Sequence, residues 1–420
     1  MNILYLSHRI PYPPNKGDKI RTFNILKYLS RRHNIYLGTI LDQESDKKYI
    51  PTLRQYCKEI HAAWVNRKRR LFQNVFQKKP FSVACFYHES LQHYVDRVLD
   101  SKQIDVVICF CSPMAEYIFN TPIFRQKAID NIKLIMDYID LDSDKWLQYA
   151  HYSRFPFRQL YELENKRLFK YEVRINHNFD YSLFVSQREE DKFRALYPGA
   201  KSIKVIPNGI DYKYFNPNHS IPLRDKRPNL VFTGFMNYFA NEDGVNWFCR
   251  HIYPRIKAEI PEARFYIVGS SPTKKVKDLA KIEGVTVTGY IDDIRYYYAI
   301  ADVCVIPLRI ARGLQNKVLE AMSMGKAVVA TSNAKNGIMC RDKVDIVIAD
   351  EEEDFAREII FLLKDESRRK ELGLHAIENI RRNYSWPINL KMFDEILAQK
   401  KPIVSASPHQ EWELPLYKQI

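Results

Sequence analysis

The part of the sequence that decides the fold is Arg312-Gly313-Leu314-Gln315-Asn316-Lys317-Val318-Leu319-Glu320-Ala321-Met322-Ser323-Met324-Gly325-Lys326-Ala327-Val328-Val329-Ala330. Its pattern predicts a polar loop, one short helix and a buried strand, and the apolar run Val303–Pro307 predicts another strand before it. Together they predict a right-handed βαβ unit, with the helix N-terminus at the carboxyl edge of a parallel sheet. Free backbone N–H groups and the positive end of the helix dipole hold anions there. The stretch therefore predicts an α/β fold with an anion site, and we expect Glu320 two turns into the helix.

Length and composition limit the architecture. A chain of 420 residues exceeds the usual single core and predicts two domains. Apolar runs such as Val106–Cys111 are too short to cross a bilayer, and the first residues enter a strand without a charged segment, so we expect neither secretion nor membrane spanning. The seven scattered cysteines favour buried free thiols in a reducing cytoplasm, and no zinc site is predicted.

The net charge of +15 calls for an anionic partner, which could be nucleic acid, an acidic membrane or a phosphorylated substrate. Between the basic groups Arg67–Arg70 and Lys78-Lys79, apolar residues recur at helical spacing. Residues 67–79 therefore predict an amphipathic basic helix that could lie on anionic lipid. The alternative is a solvated helix whose apolar face packs on its own domain.

Strands alternate with helices in two series, which predicts two α/β domains with mainly parallel sheets. We expect the first domain over 1–206, a linker over 207–228 and the second domain over 229–385. A C-terminal helix over 386–400, which could cross back to the first domain, and a tail over 401–420 would follow.

Two clusters of residues follow predicted strands. Asp137, Asp140, Asp142 and Asp144 follow one strand, but their spacing lacks the glycine and the terminal Glu of a calcium loop, which favours helix capping over a metal site. Three strands of the second domain end at Gly234, Gly269 and Gly289. Glycine lets the backbone approach a ligand closely, although each could merely end its strand.

An ordered series of motifs resembles the GT-B glycosyltransferases of the large retaining family four. In the second half the motifs are Pro207–Asp211, Phe232–Gly234, Phe265–Ser270, Val287–Tyr290, Ala301–Val303, Lys317–Met322 and Gly325–Val329. In the first half, Pro13–Thr22 and Asp140–Trp146 resemble a narrower subgroup of sugar transferases from bacterial exopolysaccharide systems. The likeness covers residues 1–398 and implies a GT-B fold, in which two Rossmann-like, doubly wound domains face a central cleft.

The resemblance implies a nucleotide-sugar donor bound mainly by the second domain and a saccharide or lipid-linked acceptor bound mainly by the first. It implies a hexosyltransferase-type enzyme of exopolysaccharide or cell-surface glycan biosynthesis that needs no cofactor and no essential metal. Retention in this family is explained by front-face attack, in which the leaving diphosphate accepts the proton of the acceptor. Such a mechanism needs mainly electrostatic stabilisation of the leaving group.

The resemblance also implies roles for individual residues. Glu320 matches the second Glu of the family's paired-Glu motif, which binds the ribose hydroxyls, a task that suits a carboxylate. The helix-opening segment that faces the donor sugar and diphosphate matches Gly313, Leu314, Gln315 and Asn316. Gly17 matches the glycine loop that faces the donor phosphates and the acceptor. We expect the donor contacts to come from Gly17, Gly234, Gly269, Gly313, Leu314, Gln315, Asn316 and Glu320.

Arg312 stands where the family usually carries the first Glu of the pair. The usual Arg and Lys after the first strand of the second domain are not found around Phe235–Asn237, so Lys317 is expected to supply part of the diphosphate-binding charge. The alternative for Lys317 is a solvent-facing helix position. We expect Arg312 and Lys317 to be the catalytic charges and assign no catalytic base. Candidates on the acceptor side are Asp18, Lys19 and Arg21.

Two rival functions predict features that the sequence lacks. A nucleotide-sugar epimerase of the same architecture would need paired acid–base carboxylates and histidines in the cleft. A non-enzymatic lipid-binding or nucleic-acid-binding protein would show one continuous basic face with interleaved aromatic residues, whereas the basic residues spread through both halves. We therefore expect a cytoplasmic enzyme without a nucleic-acid partner, which could contact the inner face of the plasma membrane through residues 67–79.

Overall fold

A computed structural model describes residues 1–65, 79–126, 129, 131–151, 153–218, 227–311, 313–399 and 401. The chain forms two compact units. The first consists of Met1–Pro207 and the described residues from Leu390 onward, and the second is Asn208–Asn389. Residues 219–226 of the predicted linker and 402–420 of the predicted tail lie outside the described residues.

The first unit is built on a sheet of parallel strands. These are β1 (Asn2–Ser7), β2 (Asn34–Leu41), β3 (Glu59–Trp64), β4 (Val106–Phe110), β5 (Lys133–Ile139), β6 (Tyr181–Phe184) and β7 (Ile203–Val205). Their spatial order is β3-β2-β1-β4-β5-β6-β7. The order reverses between β1 and β4, so the carboxyl ends of these two strands form a switch point where open α/β sheets bind ligands.

Helices cover this sheet, and β1 and β4 to β6 are buried almost throughout, as expected for parallel strands enclosed on both faces. The helices are α1 (Gly17–Leu29), α2 (Ile50–Leu53), α3 (Phe81–Cys85), α4 (Glu89–Ser101), α5 (Ala115–Phe119), α6 (Pro122–Arg125), α7 (Asp142–His151), α8 (Phe157–Asn178) and α9 (Gln187–Leu196). Short 3₁₀ turns occupy Glu44–Tyr49 and Ser112–Met114.

The second unit repeats the plan with another parallel sheet. Its strands are β8 (Asn229–Thr233), β9 (Arg264–Val268), β10 (Val285–Gly289), β11 (Val303–Ile306), β12 (Ala327–Ala330) and β13 (Val347–Ile348). Their order is β10-β9-β8-β11-β12-β13, with the reversal between β8 and β11. The predicted βαβ unit is therefore present at the centre of this sheet, since β11 pairs in parallel with β12.

The helices of the second unit are α10 (Phe239–Trp247), α11 (Tyr253–Glu259), α12 (Lys274–Asp278), α13 (Arg295–Ile300), α14 (Asn316–Ser323), α15 (Ser332–Lys335), α16 (Glu352–Lys364), α17 (Glu366–Asn383) and α18 (Trp386–Asn389). A 3₁₀ turn occupies Leu279–Lys281. A π-helical turn, Phe248–Ile252, joins α10 to α11. It precedes Pro254, whose missing N–H cannot continue the regular hydrogen-bond ladder.

The predicted C-terminal helix is split into two pieces that belong to different units. After α18, helix α19 (Lys391–Ala398) packs in the first unit. The Lys133 ammonium donates to the carbonyl oxygens of Ile396, Leu397 and Gln399 at 2.6, 3.0 and 2.7 Å. Since these carbonyls lie at the helix C-terminus, one cation satisfies acceptors that the helix itself leaves unpaired.

Candidate active site

The carboxyl edge of the second sheet brings the predicted glycines together. Gly234 and Gly269 directly follow β8 and β9, and the Gly234 N–H donates to the Val268 carbonyl at 2.9 Å. Gly269 has φ +141°, and a Cβ atom there would lie 1.9 Å from the Gly234 carbonyl oxygen. Glycine is therefore required at Gly269 by close packing within the chain, whereas the sequence analysis had pointed to a ligand.

The loop between β11 and α14 carries the predicted donor segment. Gly313 has φ +56°, in the left-handed region that favours glycine, and Leu314, Gln315 and Asn316 lead into the helix with their side chains partly exposed. Gln315 is the N-cap residue, and its side chain makes no capping hydrogen bond. Backbone N–H groups at the start of α14 are therefore not occupied by a side-chain cap. Arg312, predicted as a catalytic charge, lies outside the described residues.

Lys317, on the first turn of α14, points back to the end of β8 and not to bulk solvent. Its ammonium donates to Asn241 Oδ1 at 2.5 Å and lies 4.4 Å from the centre of the Phe232 ring. It is also close to Gly234, because a Cβ atom built on that glycine would lie 3.1 Å from Lys317 Nζ. Burial lowers the pKa of Lys317 to about 7, and the charge of Glu320 offsets this only in part.

Glu320 lies three residues further along α14, one turn from Lys317. Its Oε2 atom accepts a hydrogen bond of 2.8 Å from the Tyr298 hydroxyl, which also lies 2.7 Å from the Thr233 hydroxyl. Burial raises the pKa of the Glu320 carboxyl, while the Tyr298 hydrogen bond and the Lys317 charge oppose the rise. A cation and a carboxylate are thus held one turn apart at the carboxyl edge of the sheet.

Two residues of this site were missed by the sequence analysis. Asn241, on α10, fixes Lys317 and donates through Nδ2 to the Phe235 carbonyl at 2.9 Å. Tyr298, on α13, is fully buried and connects β8 with Glu320. Neither belongs to a recognisable motif. The only signal for Asn241 in the sequence was that it is a polar residue following a predicted strand. Tyr298 is the last of three consecutive tyrosines, and nothing in the sequence separates it from the other two.

In the first unit, the loop after β1 carries another charged cluster. Gly17 is the first residue of α1, and Asp18 in the first turn accepts from Arg9 at 2.8 Å and lies 3.4 Å from His8 Nε2. Burial would raise the pKa of Asp18, but the hydrogen bond from His8 and the charges of His8 and Arg9 hold it well below its usual range. Lys19 is buried, with its ammonium 3.4 Å from Asp42.

His8 and Arg9 were also missed as site residues. They directly follow β1, beside the strand-order reversal of the first sheet. The His8 ring stacks on Phe110 with 5.8 Å between ring centroids, and its buried Nδ1 atom has no hydrogen-bond partner among the described residues. A His-Arg pair immediately after a buried strand was the signal that could have identified them.

The placement of Arg21 does not fit the predicted acceptor contact. Its side chain is completely buried and makes two hydrogen bonds to the Asp137 carboxylate, at 2.8 and 3.0 Å. It also donates to the Ile206 carbonyl at 2.8 Å. Arg21 therefore connects α1 with the ends of β5 and β7 inside the first unit. The amphipathic pattern of α1 did not show this, because the partner carboxylate lies 116 residues away.

The described residues contain no group of three or more His, Cys, Asp or Glu side chains that could hold a metal ion. Asp144, one of the four clustered carboxylates, pairs with Lys192 at 2.6 Å. None of the helices within the described ranges is long and apolar enough to span a bilayer. Of the predicted membrane segment 67–79, residues 67–78 lie outside the described residues.

A stretch of the second unit matches a protein-family model. Residues 227–365 match the family model described as "Glycosyl transferases group 1". Over 408 residues the chain is 24% identical to an uncharacterized 44.6 kDa protein in the cps region of Klebsiella pneumoniae, covering 94% of this chain and 99% of that protein. It is also 26% identical over 235 residues to a GDP-mannose-dependent α-(1-6)-phosphatidylinositol monomannoside mannosyltransferase of Mycobacterium tuberculosis, covering 51% of this chain and 60% of that protein.

Solved structures share the fold over nearly the whole chain. Sucrose-phosphate synthase from Thermosynechococcus elongatus superposes with a TM-score of 0.68 at 17% identity, covering 94% of this chain and 98% of that one. The Anabaena protein HepE in complex with UDP gives a TM-score of 0.66 at 16% identity, covering 94% and 99%. Together with the two parallel sheets, these likenesses confirm the predicted GT-B fold.

Proposed function

We propose that this chain is a glycosyltransferase that moves a sugar from a nucleoside-diphosphate donor to a saccharide or lipid-linked acceptor. The match of residues 227–365 to the family model of group 1 glycosyl transferases and the GT-B fold support this. The second unit would bind the donor and the first the acceptor. The product would be an exopolysaccharide or another cell-surface glycan, a role supported by the relative in the Klebsiella cps region.

The observation that carries the proposal is the arrangement of Lys317 and Glu320 on α14. Lys317, held by Asn241, offers a positive charge beside Gly234 and the start of the helix. Glu320, held by Tyr298, offers a carboxylate one turn further on. A diphosphate is stabilised by the positive charge, and the two hydroxyls of a ribose can donate hydrogen bonds to the carboxylate. Diphosphate and ribose are adjacent in a nucleoside diphosphate.

This arrangement also supports the expected chemistry. As the bond between the sugar and the diphosphate breaks, negative charge grows on the leaving phosphate. The helix dipole of α14, its free N–H groups and the Lys317 ammonium would stabilise that charge. The acceptor hydroxyl would attack the anomeric carbon on the face from which the diphosphate leaves, and a phosphate oxygen would accept the hydroxyl proton. Since the new C–O bond replaces the broken one on the same face, the anomeric configuration would be retained. We propose that no cofactor or essential metal takes part and that the enzyme acts in the cytoplasm.

Names of related proteins support the choice of donors to test. HepE structures contain UDP and UDP-glucose, and the mycobacterial relative is named as GDP-mannose-dependent. An epimerase of GT-B architecture is not favoured, since the named relatives include a mannosyltransferase and a sucrose-phosphate synthase.

A thermal-shift screen with UDP, GDP, ADP and their sugars tests the proposal. A donor at a hundred times its Kd stabilises the protein by about 2.7 kcal/mol, which corresponds to a rise in Tm of roughly 5 °C or more. Glu320→Ala should lose most of the rise, whereas Glu353→Ala, at an exposed carboxylate on α16 of the same unit, should keep it. No rise with any nucleotide, or an equal rise in both variants, would contradict the proposal.

A further inference from the structure

An unusual concentration of exposed apolar side chains lies where α7 meets α8. Phe155 and Phe157 are 80% and 60% exposed, and Leu147, Tyr149, Leu160 and Leu163 are each more than a third exposed. Aromatic residues of this size normally bury most of their surface. We call these six residues the hairpin patch. A concentration of exposed apolar side chains of this kind indicates an interaction surface.

The hairpin patch rests on an ordered support. Trp146 of α7 contacts Tyr149 and Tyr161, with ring centroids 5.9 and 5.5 Å apart, and Phe157 lies 6.4 Å from Tyr161. The Trp146–Tyr161 contact joins α7 to the first turns of α8, and the other two contacts lie within one helix each. The exposed side chains are therefore presented together on packed helices.

Basic residues continue the same surface along α8. Lys166, Lys170 and Arg174 follow Leu163 at intervals of three or four residues, which places all four on one exposed helix face. From Leu163 to Arg174 this row extends about 16 Å. Exposed Arg154 and Arg158 flank the two phenylalanines. The surface thus passes from an apolar end to a cationic stripe.

Two of the three acidic residues of α8 lie inside the first unit and not on this surface. Glu164 is buried and accepts from the Phe81 and Ser82 amides at 2.7 and 2.8 Å. Glu172 is completely buried, and Glu162 is paired with Arg158 at 2.9 Å. Within the described residues 153–178 five cations are exposed, and the partly exposed carboxylate Glu162 is the partner of one of them, Arg158.

We infer that the hairpin patch and the basic face of α8 form a docking surface for an anionic lipid bilayer. The apolar side chains would enter the boundary between headgroups and acyl chains, and the lysine and arginine side chains would reach the phosphate layer. A neutral apolar partner would not use the cationic stripe, and a nucleic acid, although its bases can stack on phenylalanine, would not use the exposed Leu147, Leu160 and Leu163. This inference is independent of the predicted segment 67–79 and does not depend on transferase activity.

Binding to vesicles without any nucleotide tests the inference. Wild-type protein is sedimented with 100 nm vesicles of phosphatidylcholine alone or with about 30% phosphatidylglycerol. We expect binding at least tenfold tighter to the anionic vesicles, weakening as salt is raised. Phe155→Ser combined with Phe157→Ser, and Lys166→Glu combined with Lys170→Glu, should each reduce the affinity for anionic vesicles by tenfold or more.

Matched controls change exposed residues of the second unit. Phe361→Ser combined with Leu374→Ser, and Lys274→Glu combined with Lys277→Glu, should bind like wild type. All substituted side chains are exposed, so each variant should keep the wild-type Tm. Brominated acyl chains should quench tryptophan fluorescence in wild type, and Trp146→Phe should remove most of this quenching, because Trp146 supports the hairpin patch.

Three results would overturn the inference. The first is equal binding to neutral and anionic vesicles, or none to either. The second is undiminished binding by both hairpin variants. The third is loss of binding only when Arg67, Lys68, Arg69 and Arg70 are changed to Glu, which would assign the lipid contact to that segment instead.

Discussion

Lys317→Arg tests the charge at the centre of the proposed donor site. Burial lowers the pKa of the Lys317 ammonium to about 7 in the free protein. If only the protein with a protonated Lys317 binds the diphosphate, about nine tenths of the protein can bind at pH 6 and only about one tenth at pH 8. Donor affinity should therefore fall about tenfold as the pH rises from 6 to 8, or about 1.4 kcal/mol. Affinity falls as the pH rises because deprotonation of Lys317 removes the positive charge that attracts the diphosphate.

Isothermal titration calorimetry with UDP-glucose and GDP-mannose measures this effect. Both are phosphodiesters, so the ligand itself does not titrate between pH 6 and 8. Repeating each titration in buffers of different ionisation enthalpy gives proton uptake, which should be about 0.9 per donor at pH 8 and about 0.1 at pH 6. Lys317→Arg carries a permanent charge and should bind with little pH dependence, and Lys317→Met should bind weakly at both pH values. A wild-type affinity that is constant with pH, or a pH dependence that persists in Lys317→Arg, would refute the reasoning.

The remaining predictions concern stability and are measured by urea denaturation. Tyr298→Phe removes the hydroxyl that serves both Thr233 and Glu320, and should lower the free energy of unfolding by about 1–3 kcal/mol; an unchanged midpoint would contradict this. Arg21→Met leaves the Asp137 carboxylate buried without its cation and should cost about 3–5 kcal/mol, much of which Asp137→Leu in the same chain should restore; additive losses would argue against a specific pair. Gly269→Ala should prevent folding because its Cβ meets the Gly234 carbonyl, whereas Gly289→Ala, at φ +71° with open space around it, should cost only about 1–2 kcal/mol; equal effects would show that the close approach is unimportant.

The regular framework could be predicted because its signals are local. Buried parallel strands appear as short apolar runs, such as Val303–Ile306, and the helix that follows has its own apolar stripe. Lys317 and Glu320 could be proposed for the same reason, because they lie in one continuous motif. Their locations on α14 follow from the sequence, although their roles stay predictions.

The remaining features depend on partners that are distant in sequence. Asn241 meets Lys317 across 76 residues, and Arg21 meets Asp137 across 116. A single sequence contains no sign of such pairings, so Arg21 was predicted as a candidate on the acceptor side. Gly269 shows the same limit, since its role depends on how closely β9 approaches the end of β8.

The return of the chain to the first unit affects how the protein folds during synthesis. Lys133 finds its acceptors in α19 more than 260 residues later, and Tyr28 donates to Asp394 across 366 residues. At 5–20 residues per second a ribosome needs roughly 10–40 s to make the intervening second unit. During that time the nascent first unit has an open surface where α19 will pack. Chaperones that bind exposed apolar surface could bind the first unit during this interval. Chain termination before Leu390 would leave the first unit without α19.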